Sequence, residues 1–119
     1  MEEIIDLDIL RPKEVKVRLA GKVIDVSFIP CGITFEVDDL IRQISSLDQG
    51  KINTETAEAK KAFDLAIKLC ATFATVDHPE LTEEWMLKHC SPEQVNVLSG
   101  HIKDALISSL KGVEQYGKN

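Results

Sequence analysis

Residues 14 to 28 of this 119-residue chain read Glu-Val-Lys-Val-Arg-Leu-Ala-Gly-Lys-Val-Ile-Asp-Val-Ser-Phe and constrain the fold more than any other stretch. Val15, Val17 and Leu19 alternate with Lys16 and Arg18, and Ile24, Val26 and Phe28 alternate with Asp25 and Ser27. Two period-two runs separated by a glycine predict a β-hairpin over about 14–29. With Gly21-Lys22 as a two-residue turn, Leu19 faces Ile24, Val17 faces Val26 and Val15 faces Phe28, while Arg18 pairs with Asp25 on the other side. Glycine in the first loop position suits a type II′ turn, where φ must be positive. A lone hairpin is marginal in water, so the remaining chain must cover its apolar face.

That remainder reads as helix. Pro30-Cys31-Gly32 breaks the second strand. Thr34 stands where an N-cap belongs, and Val37, Leu40, Ile41, Ile44 and Leu47 recur at helical spacing, predicting a helix over about 35–48 that Asp48-Gln49-Gly50 ends. Asn53 and Thr54 offer the next cap. Ala59, Ala62, Phe63, Ala66, Ile67, Cys70 and Phe73 then share one face of a helix over about 54–76, opposite Glu58, Lys61, Asp64 and Lys68. His78-Pro79 stops it, because a residue before proline is pushed out of α geometry.

Thr82 caps a short helix over about 82–90, with Leu81 and Met86 placed as a hydrophobic staple. Ser91-Pro92-Glu93-Gln94 is a capping box with proline at the first helical position, opening a helix over about 92–112. Its apolar face is Val95, Leu98, Ile102, Ala105, Leu106, Ser109, Leu110 and Val113, and Gly112 and Gly117 weaken its end. The expectation is one α+β domain over 1–119, a hairpin packed against about four helices, with 1–13 and 114–119 loosely ordered.

The charge balance narrows the partners. With 14 Lys and Arg against 20 Asp and Glu, the net charge of −6 argues against nucleic acid, which needs a basic face to displace counterions. The acidic start, Glu2-Glu3-Ile4-Ile5-Asp6, is unlike a basic secretory leader, and no apolar run reaches membrane-spanning length. Three unpaired cysteines, Cys31, Cys70 and Cys90, fit a reducing cytoplasm. An acidic surface of this kind points to protein partners.

Candidate chemistry is sparse. Cys70, His78, His89, Cys90 and His101 lack the two close ligand pairs of structural zinc, and the adjacent His89 and Cys90 diverge by about 100° on a helix. Cys31 has no neighbouring base to make it a nucleophile. The acidic pairs Asp38-Asp39 and Glu83-Glu84 read as solvated or cap-stabilising groups, and the six glycines form no phosphate cradle. No catalytic residue, metal or cofactor is expected. Trp85 reads first as a core anchor and second as a partner hot spot. Lys16, Arg18 and Asp25 mark the hairpin as a second candidate binding surface, whose uncovered edges also allow self-association.

Three segments in order carry a resemblance: Val15 to Pro30; Ile33-Thr34-Phe35-Glu36; and Leu81-Thr82-Glu83-Glu84-Trp85-Met86-Leu87-Lys88-His89-Cys90-Ser91-Pro92-Glu93-Gln94-Val95. This order resembles the small tail assembly chaperones of long-tailed bacteriophages and prophages of Gram-positive bacteria. The resemblance implies a non-enzymatic protein of the host cytoplasm, absent from the mature virion. It would coat the tape measure protein during tail morphogenesis and help recruit subunits of the tail tube protein. It also implies a longer frameshifted form, to which this chain would be the short counterpart. The family carries no fixed catalytic residues. The other reading is a small acidic adaptor or regulator that binds one protein partner one-to-one.

Overall fold

The structure, a computed structural model, describes residues 3–47 and 57–117, with side chains described for 3–47 and 59–108. Its elements are a 3₁₀ turn at Leu7–Leu10, strands β1 (Lys16–Leu19) and β2 (Lys22–Asp25), and a second 3₁₀ turn at Cys31–Ile33. Helices α1 (Thr34–Leu47), α2 (Ala57–Ala74), α3 (Glu83–His89) and α4 (Pro92–Gly117) follow. This is the expected α+β architecture, an antiparallel two-stranded hairpin against four helices among the described residues. The expected stop at Asp48-Gln49-Gly50 and the caps Asn53 and Thr54 lie outside the described residues, as do the side chains of Glu58, Ser109, Leu110 and Val113.

The hairpin differs from its expected register. Lys16 pairs with Asp25, Val17 with Ile24, Arg18 with Val23 and Leu19 with Lys22. The turn is therefore Ala20-Gly21, and both residues have positive φ, 50° and 82°. That is the type I′ signature, whose backbone twist matches the right-handed twist of the strands. The slide is two residues, so every side chain keeps its face while changing its partner, whereas a slide of one would have turned the apolar face outward. Lys16, not Arg18, is the cation opposite Asp25.

Beyond β2, Ser27 continues the pairing with its side chain. Its buried hydroxyl accepts from the Val15 N–H at 2.7 Å and donates to the Val15 carbonyl at 3.3 Å. Phe28 is not opposite Val15; its ring lies under the Arg11 guanidinium, 4.7 Å from the centroid.

Leu19, Ile24, Val26 and Ile29 from the hairpin join one continuous core with Val37, Leu40 and Ile41 of α1, Met86 of α3, and Val95, Leu98, Ile102, Ala105 and Leu106 of α4. Helix α2 is the centre, packed on α1, α3 and α4. It buries Leu69, Ala71 and Ala74 besides the expected Ala66, Ile67, Cys70 and Phe73, because neighbours on three sides leave it a much wider apolar arc than one stripe. Lys61, Asp64 and Lys68 face solvent.

The helix starts follow local chemistry. The Thr82 hydroxyl accepts from Trp85 N–H at 3.2 Å, and the staple residues Leu81 and Met86 are both fully buried. Ser91 and Gln94 make the reciprocal capping box, at 2.8 and 3.2 Å. Thr34 differs from expectation. It is already helical (φ −57°, ψ −48°), and its hydroxyl donates back to the Pro30 carbonyl at 2.9 Å, so the Cys31–Ile33 turn feeds directly into α1. At the other end α4 passes Gly112 and runs to Gly117, five residues beyond the expected stop. One glycine costs about 1 kcal/mol in a helix, which need not end one of 26 residues.

Candidate protein-binding edge and groove

A two-stranded sheet has two edges, and here they are treated differently. The outer edge of β2 is met at one carbonyl by the loop between α2 and α3. His78 Nε2 lies 2.8 Å from the Val23 carbonyl oxygen. A carbonyl only accepts, so Nε2 carries the proton. His78 Nδ1 is 3.8 Å from Glu80, whose carboxylate also takes Lys22 Nζ at 3.0 Å. The backbone hydrogen bond at Glu80 and the Lys22 ammonium hold the Glu80 carboxyl below its ordinary range.

Among the described residues, the outer edge of β1 is open. Bonded and non-bonded pairs alternate along an antiparallel ladder. Because Val26 N–H bonds the Val15 carbonyl at 2.9 Å, Val15, Val17 and Leu19 point their main-chain groups at β2. Lys16 and Arg18 therefore turn N–H and C=O outward, where no partner meets them among the described residues. Beneath this edge runs a groove between β1 and α4. One part, about 260 Å³, is lined by Val17, Arg18, Val97, Leu98 and His101 among others. A second, about 300 Å³, includes Val15, Val26, His101 and Ala105, so His101 joins the two.

Of the residues singled out in the sequence, Lys16 and Arg18 lie on this open edge, both exposed. Lys16 also reaches Glu14 at 3.6 Å. Asp25 sits opposite Lys16, and its carboxylate accepts from Ser27 N–H at 2.9 Å. Hydrogen bonding from Ser27, aided by Lys16 and Arg11, holds the Asp25 carboxyl below its ordinary range against the opposing effect of burial. Trp85 belongs elsewhere. It is half-buried against the core on α3, its ring 4.9 Å from His89, and it lines neither part of the groove.

Sequence reasoning missed Val97, His101 and Ala105 as groove residues. The available signal was Val97, an apolar residue off the core stripe of α4 and 55% exposed.

The cysteines do not converge on chemistry. All three are free; Cys31 is exposed, Cys70 buried and Cys90 between. Burial pushes the Cys70 thiol up to about 12 and raises Cys90 as well, the opposite of an activated thiolate. No cluster of three or more His, Cys, Asp or Glu side chains suited to a metal occurs among the described residues. No helix among them is long and apolar enough to cross a membrane. No protein-family model, curated protein or solved structure matches this chain.

Proposed function

We propose that this chain is a non-enzymatic tail assembly chaperone of a long-tailed bacteriophage or Gram-positive prophage, acting in the host cytoplasm. In this reading it coats the tape measure protein, helps recruit tail tube subunits, and is absent from the mature virion. The family assignment rests on the resemblance carried by Val15 to Pro30, Ile33 to Glu36 and Leu81 to Val95.

The observation that carries a binding role is the open β1 edge with its groove, together with an acidic segment earlier in the chain whose apolar side chains face solvent. Ile4, Ile5, Leu7 and Ile9 are 68–84% exposed. Exposed apolar side chains gathered in one segment support an interaction role, and weak contacts suffice when many copies act on one long client.

The test is co-expression with the large helical protein encoded beside this gene, followed by mass measurement of the complex. Many copies per client are expected. One copy per client, or no complex with any neighbouring tail protein, would overturn the coating role and leave the one-to-one adaptor in its place.

A further inference from the structure

The segment before β1 has a pattern that matches the open edge. Ile5-Asp6-Leu7-Asp8-Ile9 alternates apolar and acidic residues, while Val15-Lys16-Val17-Arg18-Leu19 alternates apolar and basic ones. We infer that the open β1 edge is the docking site for residues 5–9 of a second copy, added as a third strand. In the antiparallel register Asp8 lies opposite Lys16, Asp6 opposite Arg18 and Leu7 opposite Val17. The outward main-chain groups of Lys16 and Arg18 then gain partners. Ile5, Leu7 and Ile9 fall on the face of Val15, Val17 and Leu19, above the groove floored by Leu98 and Ala105.

Three observations select this occupant. First, the segment gives up little to leave its present place. It forms one 3₁₀ turn with no buried residue, held by Asp8 N–H to Asp6 at 3.0 Å and Arg11 N–H to Asp8 at 3.1 Å. Second, it departs on the wrong side to close on its own edge. Pro12 and Lys13 line the groove, but Arg11 already lies over Phe28, in the cleft with Asp25, Phe73 and Val76 on the β2 side. Third, direct pairing of two β1 edges about Val17 would set Lys16 opposite Arg18, a like-charge contact that opposes it.

Each copy offers one acidic strand and one basic edge, so exchange yields a closed pair or an open array. Such an array suits the coating role, and the inference rests on that reading only in this respect. The test uses the chain alone, so its failure is separate from failure to coat a client.

Sedimentation across a concentration series is the experiment. The unaltered chain should self-associate. Asp6→Lys with Asp8→Lys makes strand and edge both basic, and Lys16→Glu with Arg18→Glu makes both acidic; each should weaken association about tenfold or more. An equimolar mixture of the two variants should restore it, because each then offers the other an opposite charge. Arg18→Glu alone keeps the Lys16–Asp25 pair, so a loss of association there cannot be charged to a lost fold. A chain monomeric at every concentration, association indifferent to the reversals, or a mixture that stays apart would each overturn the inference. A monomer whose stability follows the charges would identify closure of the segment on its own edge instead.

Discussion

The two edges of the hairpin share a turn, a twist and a core, yet among the described residues one is tied to the helical body and the other meets nothing. On β2, His78 holds the Val23 carbonyl and Lys22 reaches Glu80, so a loop 55 residues further along the chain ties the strand down near its turn end. On β1, Lys16 and Arg18 stand exposed with their main-chain groups outward. Exposed edges invite pairing, and charged side chains are a common guard against it. The β2 edge ties the hairpin to the helices; the β1 edge presents two cations beside outward main-chain groups, the features on which the proposed strand addition rests.

The largest effect comes from removing what both edges depend on. Ile24 is 1% exposed and stands opposite Val17. Ile24→Ala leaves a cavity beneath the hairpin and should cost about 3 kcal/mol, within the range for buried aliphatic truncations. Urea unfolding would show it as a lower midpoint. A loss well under 1 kcal/mol would mean that the hairpin is not held through its apolar face.

Freeing the Val23 carbonyl comes next. His78→Ala removes one bond to a main-chain carbonyl and should cost about 1 kcal/mol. It should also speed amide exchange at Val17, Leu19 and Ile24 and raise self-association, since the loop then no longer shields the Val23 carbonyl. Unchanged exchange would show that the Val23 bond does not protect β2.

The turn gives a smaller effect of opposite sign. Ala20 has φ of 50°, a region costly for a residue with a Cβ, and type I′ turns favour Asn-Gly. Ala20→Asn should stabilise by about 0.5–1 kcal/mol without altering either edge, visible as a raised thermal midpoint. Destabilisation would count against the Ala20-Gly21 turn.

These outcomes turn on details the sequence discloses unevenly. The starts of α3 and α4 were legible because each cap is local, Thr82 with Trp85 and Ser91 with Gln94, whereas Thr34 looks like a cap in the sequence and is not one, because the turn before it already feeds into α1. The faces of the hairpin were legible too, since period two decides them. Register was not, because a two-residue slide leaves every apolar residue on its face and only turn geometry separates the choices. The second buried side of α2, with Leu69, Ala71 and Ala74, escaped a one-stripe template because three helices surround it. The candidate site was half legible. Lys16 and Arg18 could be named from the hairpin pattern, but their exposure depends on where His78 and α4 arrive. Asp25 was named with the wrong cation opposite it.

The smallest effect concerns acid. The carboxyls of Asp25 and Glu80 are both held below their ordinary values of 3.8 and 4.5. A carboxyl depressed by folding contributes stability above its unfolded value and loses it as pH falls through the folded one. Stability should therefore be flat from neutrality down to about pH 5 and decline below that. The decline is modest, because solvent screens both groups. The two carboxyls can be told apart by where they act. Asp25→Asn should flatten part of the decline while leaving the bond between His78 and Val23 untouched. Glu80→Gln should remove the partner of Lys22 and leave the Asp25 contribution in place. Unfolding midpoints of the three proteins between pH 7 and pH 3 measure this directly. If Asp25→Asn leaves the decline unchanged, the ionised Asp25 carboxylate adds nothing to stability through Ser27 N–H or Lys16, and the ladder, the Ser27 hydroxyl and the apolar face hold the two strands together.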